Sequence, residues 1–284
     1  MAVFDKNATP YQAFHAVLWD CAYRLDMHTA LLQAGECDQH RVHQARVALR
    51  RLRTARKAFA PLADEQGWRP FTEMLRKMAA SLGQIRDLDV LANALLARLP
   101  KEQATPLADA FARARSRRCR LLVRLLKSPS GARLLPSFFE SLRLPLPETP
   151  LPVSLRAFAD QSLRQLHRRV LTLAKRKGNV RHQHALRKRI KELRYTAEFF
   201  SSLYRHRPVQ DYLDHLQVTQ DTLGQVIDAH TSLLQLVVLT REFPDIAPLL
   251  PSLNDLLEED LLKAKTLLNP ALNAVKKTLP FWQD

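Results

Sequence analysis

Apolar residues recur along most of this chain at three- and four-residue spacing, the period of an α-helix. Thr9 before Pro10 predicts an N-cap and a first helix over 10–33, ended at Gly35. Asp38 caps a second helix reaching about Phe59, and Pro61 stops it. Gly67 marks a turn. The third helix runs from about Trp68 to Arg98, with Leu75, Met78, Leu82, Leu88 and Leu91 among its apolar positions. A fourth covers about 105–127, and a short helical piece about 132–142. Prolines 145, 147, 150 and 152 then make a stiff, extended linker. Beyond it Ser154 caps a fifth helix to about Arg176, and a sixth spans about 180–204. A seventh spans about 209–243. An eighth, behind Ser252 and Asp255 spaced as a capping box, ends near Lys277. Alternating strand patterns are absent. The expected fold is all-α: a four-helix bundle over 1–143, a linker over 144–153 and a second bundle over 154–284.

The second helix carries a cationic rail. His43, Arg46, Arg50, Arg53 and Lys57 fall within an arc of roughly 80° on a helical wheel, apart from the apolar face of Ala45, Leu49, Leu52 and Phe59. Like charges stacked on one face are unfavourable by themselves. The pattern returns 141 residues later without a gap. His43 maps to His184, Arg46 to Arg187, Arg50 to Lys191, Arg53 to Arg194 and Phe59 to Phe200. Leu82-Gly83-Gln84 maps to Leu223-Gly224-Gln225, and Asp87 to Asp228. Such a repeat predicts a duplicated, pseudo-symmetric unit whose two rails serve one ligand. The copies are not identical. Lys57 aligns with Glu198, and Lys188 with Val47.

Charge sharpens the picture. A formal net charge of +16 implies a polyanionic partner without saying which. Cys21, Cys37 and Cys119 show no paired spacing and are expected as reduced thiols of a cytoplasmic protein. The opening ten residues lack a signal-peptide pattern, and no run of about 18 apolar residues predicts a membrane span.

His43-x-x-Arg46-x-x-x-Arg50-Arg51-Leu52-Arg53, followed by Phe59, resembles the first signature helix of CHAD (conserved histidine α-helical) domains. His184-x-x-Arg187-Lys188-x-x-Lys191-x-Leu193-Arg194-Tyr195 resembles the second. Leu82-Gly83-Gln84-Ile85-Arg86-Asp87-Leu88-Asp89-Val90 is similar to a third family segment. The resemblance covers nearly the whole chain. It implies two pseudo-symmetric bundles whose basic helices line a central cavity, binding of inorganic polyphosphate, and in some members association with polyphosphate granules. Many relatives also carry a triphosphate-tunnel hydrolase domain, for which this chain has no room; that favours a stand-alone binder. Carried over, the ligand contacts are Arg46, Arg50, Arg51, Arg53, Arg187, Lys188, Lys191 and Arg194, with His43 and His184 at the name-giving positions. Lys57, Arg86 and Tyr195 join the candidates as neighbours in the rails and the third segment.

Each candidate also has a plainer reading. The two histidines could orient neighbours at a helix start rather than donate to phosphate. Asp87 and Asp89 form a DxD that could hold Mg²⁺. Only Asp87 recurs, so Asp87 and Asp228 are expected to orient arginines. Arginines 113, 117, 118, 120 and 124, and 164, 168 and 169, either line the groove or draw polyanions from a distance. No phosphate loop, activated nucleophile, metal site or cofactor motif is present, so no enzyme activity is expected. The competing expectation is a nucleic-acid binder on the same helices. Few aromatics and no readable recognition module weigh against it.

Overall fold

The structure is a computed structural model describing residues 7–145, 153–176 and 178–283. Over these it is all-α, with nine α-helices and short 3-10 segments between them. In order they are α1 (Pro10–Gln33), α2 (Gln39–Ala58), α3 (Glu65–Leu95), α4 (Lys101–Lys127), α5 (Pro129–Leu142), α6 (Leu155–Ala174), α7 (Val180–Phe200), α8 (His206–Glu242) and α9 (Leu250–Lys277). Side-chain caps set several starts. Thr9 and Gln12 exchange bonds as a capping box, Asp38 accepts from Arg41 N–H at 2.8 Å, and Asn179 accepts from His182 N–H. Each such cap contributes about 1 kcal/mol.

Local details differ from the sequence pattern. Gly67 lies inside the first turn of α3, because the Asp64 carboxylate receives the N–H groups of Gln66 and Gly67. Ser252 lies within α9 and bonds back to the Leu249 carbonyl, so it caps nothing. The short piece before the linker is the full helix α5, capped by Ser128. Most of the expected linker, residues 146–152, lies outside the described residues. The expectation of three reduced thiols needs correction: Cys37 and Cys119 form a disulfide, and Cys21 alone is free and buried. The bond joins the α1–α2 turn to α4 across 82 residues, a pairing that linear spacing does not reveal.

The two halves share their core. Phe59 at the end of α2 packs against Phe14, Phe158 and Phe200 with centroids 5.0, 5.5 and 5.1 Å away. Phe59 and Phe200 are repeat partners, so equivalent positions of the two halves touch. A second cluster likewise mixes α3 and α4 (Leu91, Phe111) with α8 and α9 (Leu239, Leu253). Among the described residues, α8 alone is long and apolar enough to cross a membrane, and half of that window is buried inside the protein. Burying Leu216, Leu223, Ile227 and Leu236 against neighbouring helices accounts for its hydrophobicity.

Candidate anion-binding site

Helix α2 buries Ala45, Leu49, Leu52 and Ala55, and α7 buries Leu186, Ile190, Leu193 and Ala197. This fixes where their cations point. Between the helices lies a cavity of about 540 Å³. Arg46, Arg50, Arg53 and Lys57 line one side, and His184, Arg187, Lys188 and Lys191 the other. Eight of the thirteen candidate ligand residues thus meet at one place.

The centre of the cavity is where charge is least compensated. Burial and the neighbouring charges of Arg50, Arg187 and Arg46 pull Lys191 from 10.5 down to about 6, and Asp228 offsets them only in part. Burial also lowers Arg46 and Arg187, each with Arg50 adding repulsion. A cationic cluster that suppresses one of its own protons is built for an anion. Carboxylates of α3 and α8 act on these arginines. Asp228 lies 3.8 Å from Arg187. Asp87 acts on Arg46, while burial raises its own proton affinity. The recurring glycines explain themselves here. A Cβ on Gly83 would come within 3.0 Å of the Arg46 guanidinium, and one on Gly224 within 2.9 Å of that of Arg187. Arg187 Nε is buried without an acceptor among the described residues.

Beside the centre, cations and carboxylates pair across the halves. Arg51 of α2 bonds Glu198 of α7, and Lys57 bonds Glu192. Under the 141-residue repeat Arg51 corresponds to Glu192 and Lys57 to Glu198. The two pairs are therefore one contact seen twice, with cations on α2 and anions on α7. The interruption of the second rail at Glu198 is the price of joining the halves. Glu198 also takes Arg194 at 2.7 Å, and Glu192 takes Arg189.

The remaining candidates lie off the cavity wall. Arg51 is 13% exposed and stacks over Tyr195 and Phe199. Arg194 reaches Glu198 and Gln220, and Tyr195 is a core residue, 3% exposed. The His43 ring is partly shielded from solvent and lies near Arg86, Arg50 and Arg46; that shielding, and then their charges, lower its proton affinity. Asp89 is 1% exposed and bonds Arg115 at 2.8 Å, so the DxD diverges rather than converging on a metal. On α4, Arg117 pairs with Glu242 at 2.8 Å, Arg118 lies 3.9 Å from the same carboxylate, and Arg113 covers the Phe243 ring. The Glu192 carboxylate on the wall was not among the candidates; the opposite charge at its repeat partner Arg51 is the signal that finds it.

Known structures share this architecture. The CHAD domain from the plant Ricinus communis superposes with a TM-score of 0.86 at 25% identity, over 99% of this chain and 96% of that one. PptA from Streptomyces chartreusis does so with a TM-score of 0.65 at 16% identity, over 94% and 100%. No curated protein matches the sequence. The family model of the CHAD domain matches residues 16–236. Cavity, repeat and match agree: the chain belongs to the CHAD-domain family.

Proposed function

We propose that this protein binds inorganic polyphosphate in the cavity between α2 and α7, as a binder rather than an enzyme. The observation that carries the reading is the cluster of Arg46, Arg50, Arg187 and Lys191, partly buried and crowded enough to bring Lys191 down to about 6. An apolar ligand would leave those charges in place, and a singly charged one would leave most of them unanswered. A chain of phosphates supplies a negative charge at every residue. Arg offers each a planar two-pronged donor. A charge-assisted hydrogen bond contributes about 1.5–3 kcal/mol, so a few outweigh the cost of ordering the chain. Nucleic acid is the weaker reading. Tyr195, the aromatic set in a rail, is buried and offers bases no stacking face. Association with polyphosphate granules in the cytoplasm belongs to the same proposal.

The test is a competition titration near physiological salt, long-chain polyphosphate against DNA and RNA, with phosphate release followed in the same tube. Polyphosphate is expected to win by orders of magnitude without release. Equal competition by nucleic acid would sink the ligand assignment, and steady release would sink the binder reading.

A further inference from the structure

The cavity is lopsided about the pseudo-twofold relation. Arg46 and Arg187 are repeat partners, as are Arg50 and Lys191, and all four line it. From this centre it extends past Arg53 and Lys57 on α2 and past Lys188 and His184 on α7. The repeat partners of those four are Arg194, Glu198, Val47 and His43, and none lies on its wall. On that side Val47 replaces Lys188, and the Glu198 carboxylate neutralises Arg51 and Arg194 together. All three ion-paired side chains are at most 20% exposed, whereas Lys57 on the open side is 50% exposed. His43, near Arg86, Arg50 and Arg46, is held toward its neutral form by partial burial and their charges.

The two sides thus treat a phosphate chain differently. A chain entering past His184 and Lys188 passes Glu192, already held by Lys57 and Arg189, but meets Arg53 and Lys188 with no carboxylate partner among the described residues before the centre. Beyond the centre it meets Val47 in place of Lys188, and Arg194, the counterpart of Arg53, is tied to Glu198. Only the end of a chain can stop there without strain. The end is also the residue best matched to the centre: like a phosphomonoester it carries about −1.5 to −2 charges near neutral pH and three acceptor oxygens, more than an internal residue. We propose that the cavity is a blind track that captures the terminus of a phosphate chain, with the terminal phosphate among Arg46, Arg50, Arg187 and Lys191. This rests on the polyphosphate reading above.

Stoichiometry separates the two. Linear polyphosphates of defined short, medium and long length are titrated with the whole protein by calorimetry and sedimentation. The same is done with chains whose ends are capped as phosphoramidates, and with cyclic metaphosphate. End capture predicts two proteins per linear chain at every length, and about tenfold or weaker binding once the ends are capped or absent. Protein bound in proportion to chain length, or cyclic and capped chains binding as well as free ones, would overturn end capture and leave polyphosphate binding intact. Failure of every linear chain to bind would overturn both. Val47→Lys with Glu198→Gln restores cations to the closed side. It is expected to shift the linear chains toward length-dependent stoichiometry; if the doubly substituted protein folds and still binds two per chain, the closed side is not the stop.

Discussion

The central cations and those of α4 make an instructive contrast. Both are dense runs of arginine and lysine on one helix face, and either alone suggests a polyanion surface. On α4, Arg117 and Arg118 share Glu242, and Arg113 lies against Phe243. In the cavity, no carboxylate among the described residues is in hydrogen-bonding contact with Arg46, Arg50 or Lys191, and Asp228 stands 3.8 Å from Arg187. The difference lies in pairing rather than in charge. Net charge brings polyanions near, and the withheld counter-charge decides where they stay.

The strongest way to break the contrast is to empty the centre. Arg50→Gln with Arg187→Gln is expected to weaken polyphosphate binding at least about a hundredfold, from about 1.5–3 kcal/mol per lost contact. The melting temperature should hold or rise, since like-charge repulsion is relieved. A collapse of the fold would make the cluster structural. Next comes Lys191. The unfolded chain keeps its proton up to about 10.5, whereas the folded protein without ligand releases it near 6. Between those values the unfolded state binds more protons, so this group makes stability rise with pH across that window. Lys191→Met should flatten that slope in thermal melts from pH 6 to 10. A chain that answers the charge restores the proton, so binding at pH 8 should take one up, seen as a dependence of binding heat on buffer ionisation enthalpy. Gly224→Ala is milder. Its methyl displaces the Arg187 guanidinium, and affinity should fall a few-fold, about 1 kcal/mol, in the same titration. The smallest effect is expected on α4: Arg117→Ala should change affinity less than about twofold, in line with the small worth of exposed pairs.

Much of this was legible in the sequence, and the exceptions have physical causes. Arg46, Arg50, Arg187 and Lys191 stood out because a rail with a repeated spacing survives any packing that keeps α2 and α7 helical. Their number was visible, but the depressed proton affinity of Lys191 was not, since it depends on three guanidinium groups brought together by tertiary packing. Arg51, Arg194 and Tyr195 share the rails' sequence and not their surroundings, because Glu198 draws both arginines into the joint between the halves and Tyr195 is buried in the core. The opposite charges at positions 51 and 192, and at 57 and 198, carried the missing information. Only a fold that brings the repeats face to face turns it into contacts. The Cys37–Cys119 bond left no trace in linear spacing.

Cys21 lies buried on α1, where burial lifts its thiol to about 12, with the nearby Arg51 guanidinium pulling the other way. Arg51 is also one end of a bond between the halves. The one free thiol of the chain is therefore a clock. An alkylating reagent can reach it only when this region parts, so the labelling rate counts openings of the joint between α2 and α7. A phosphate chain gripped by both helices should slow that clock by the same factor by which it favours the closed state.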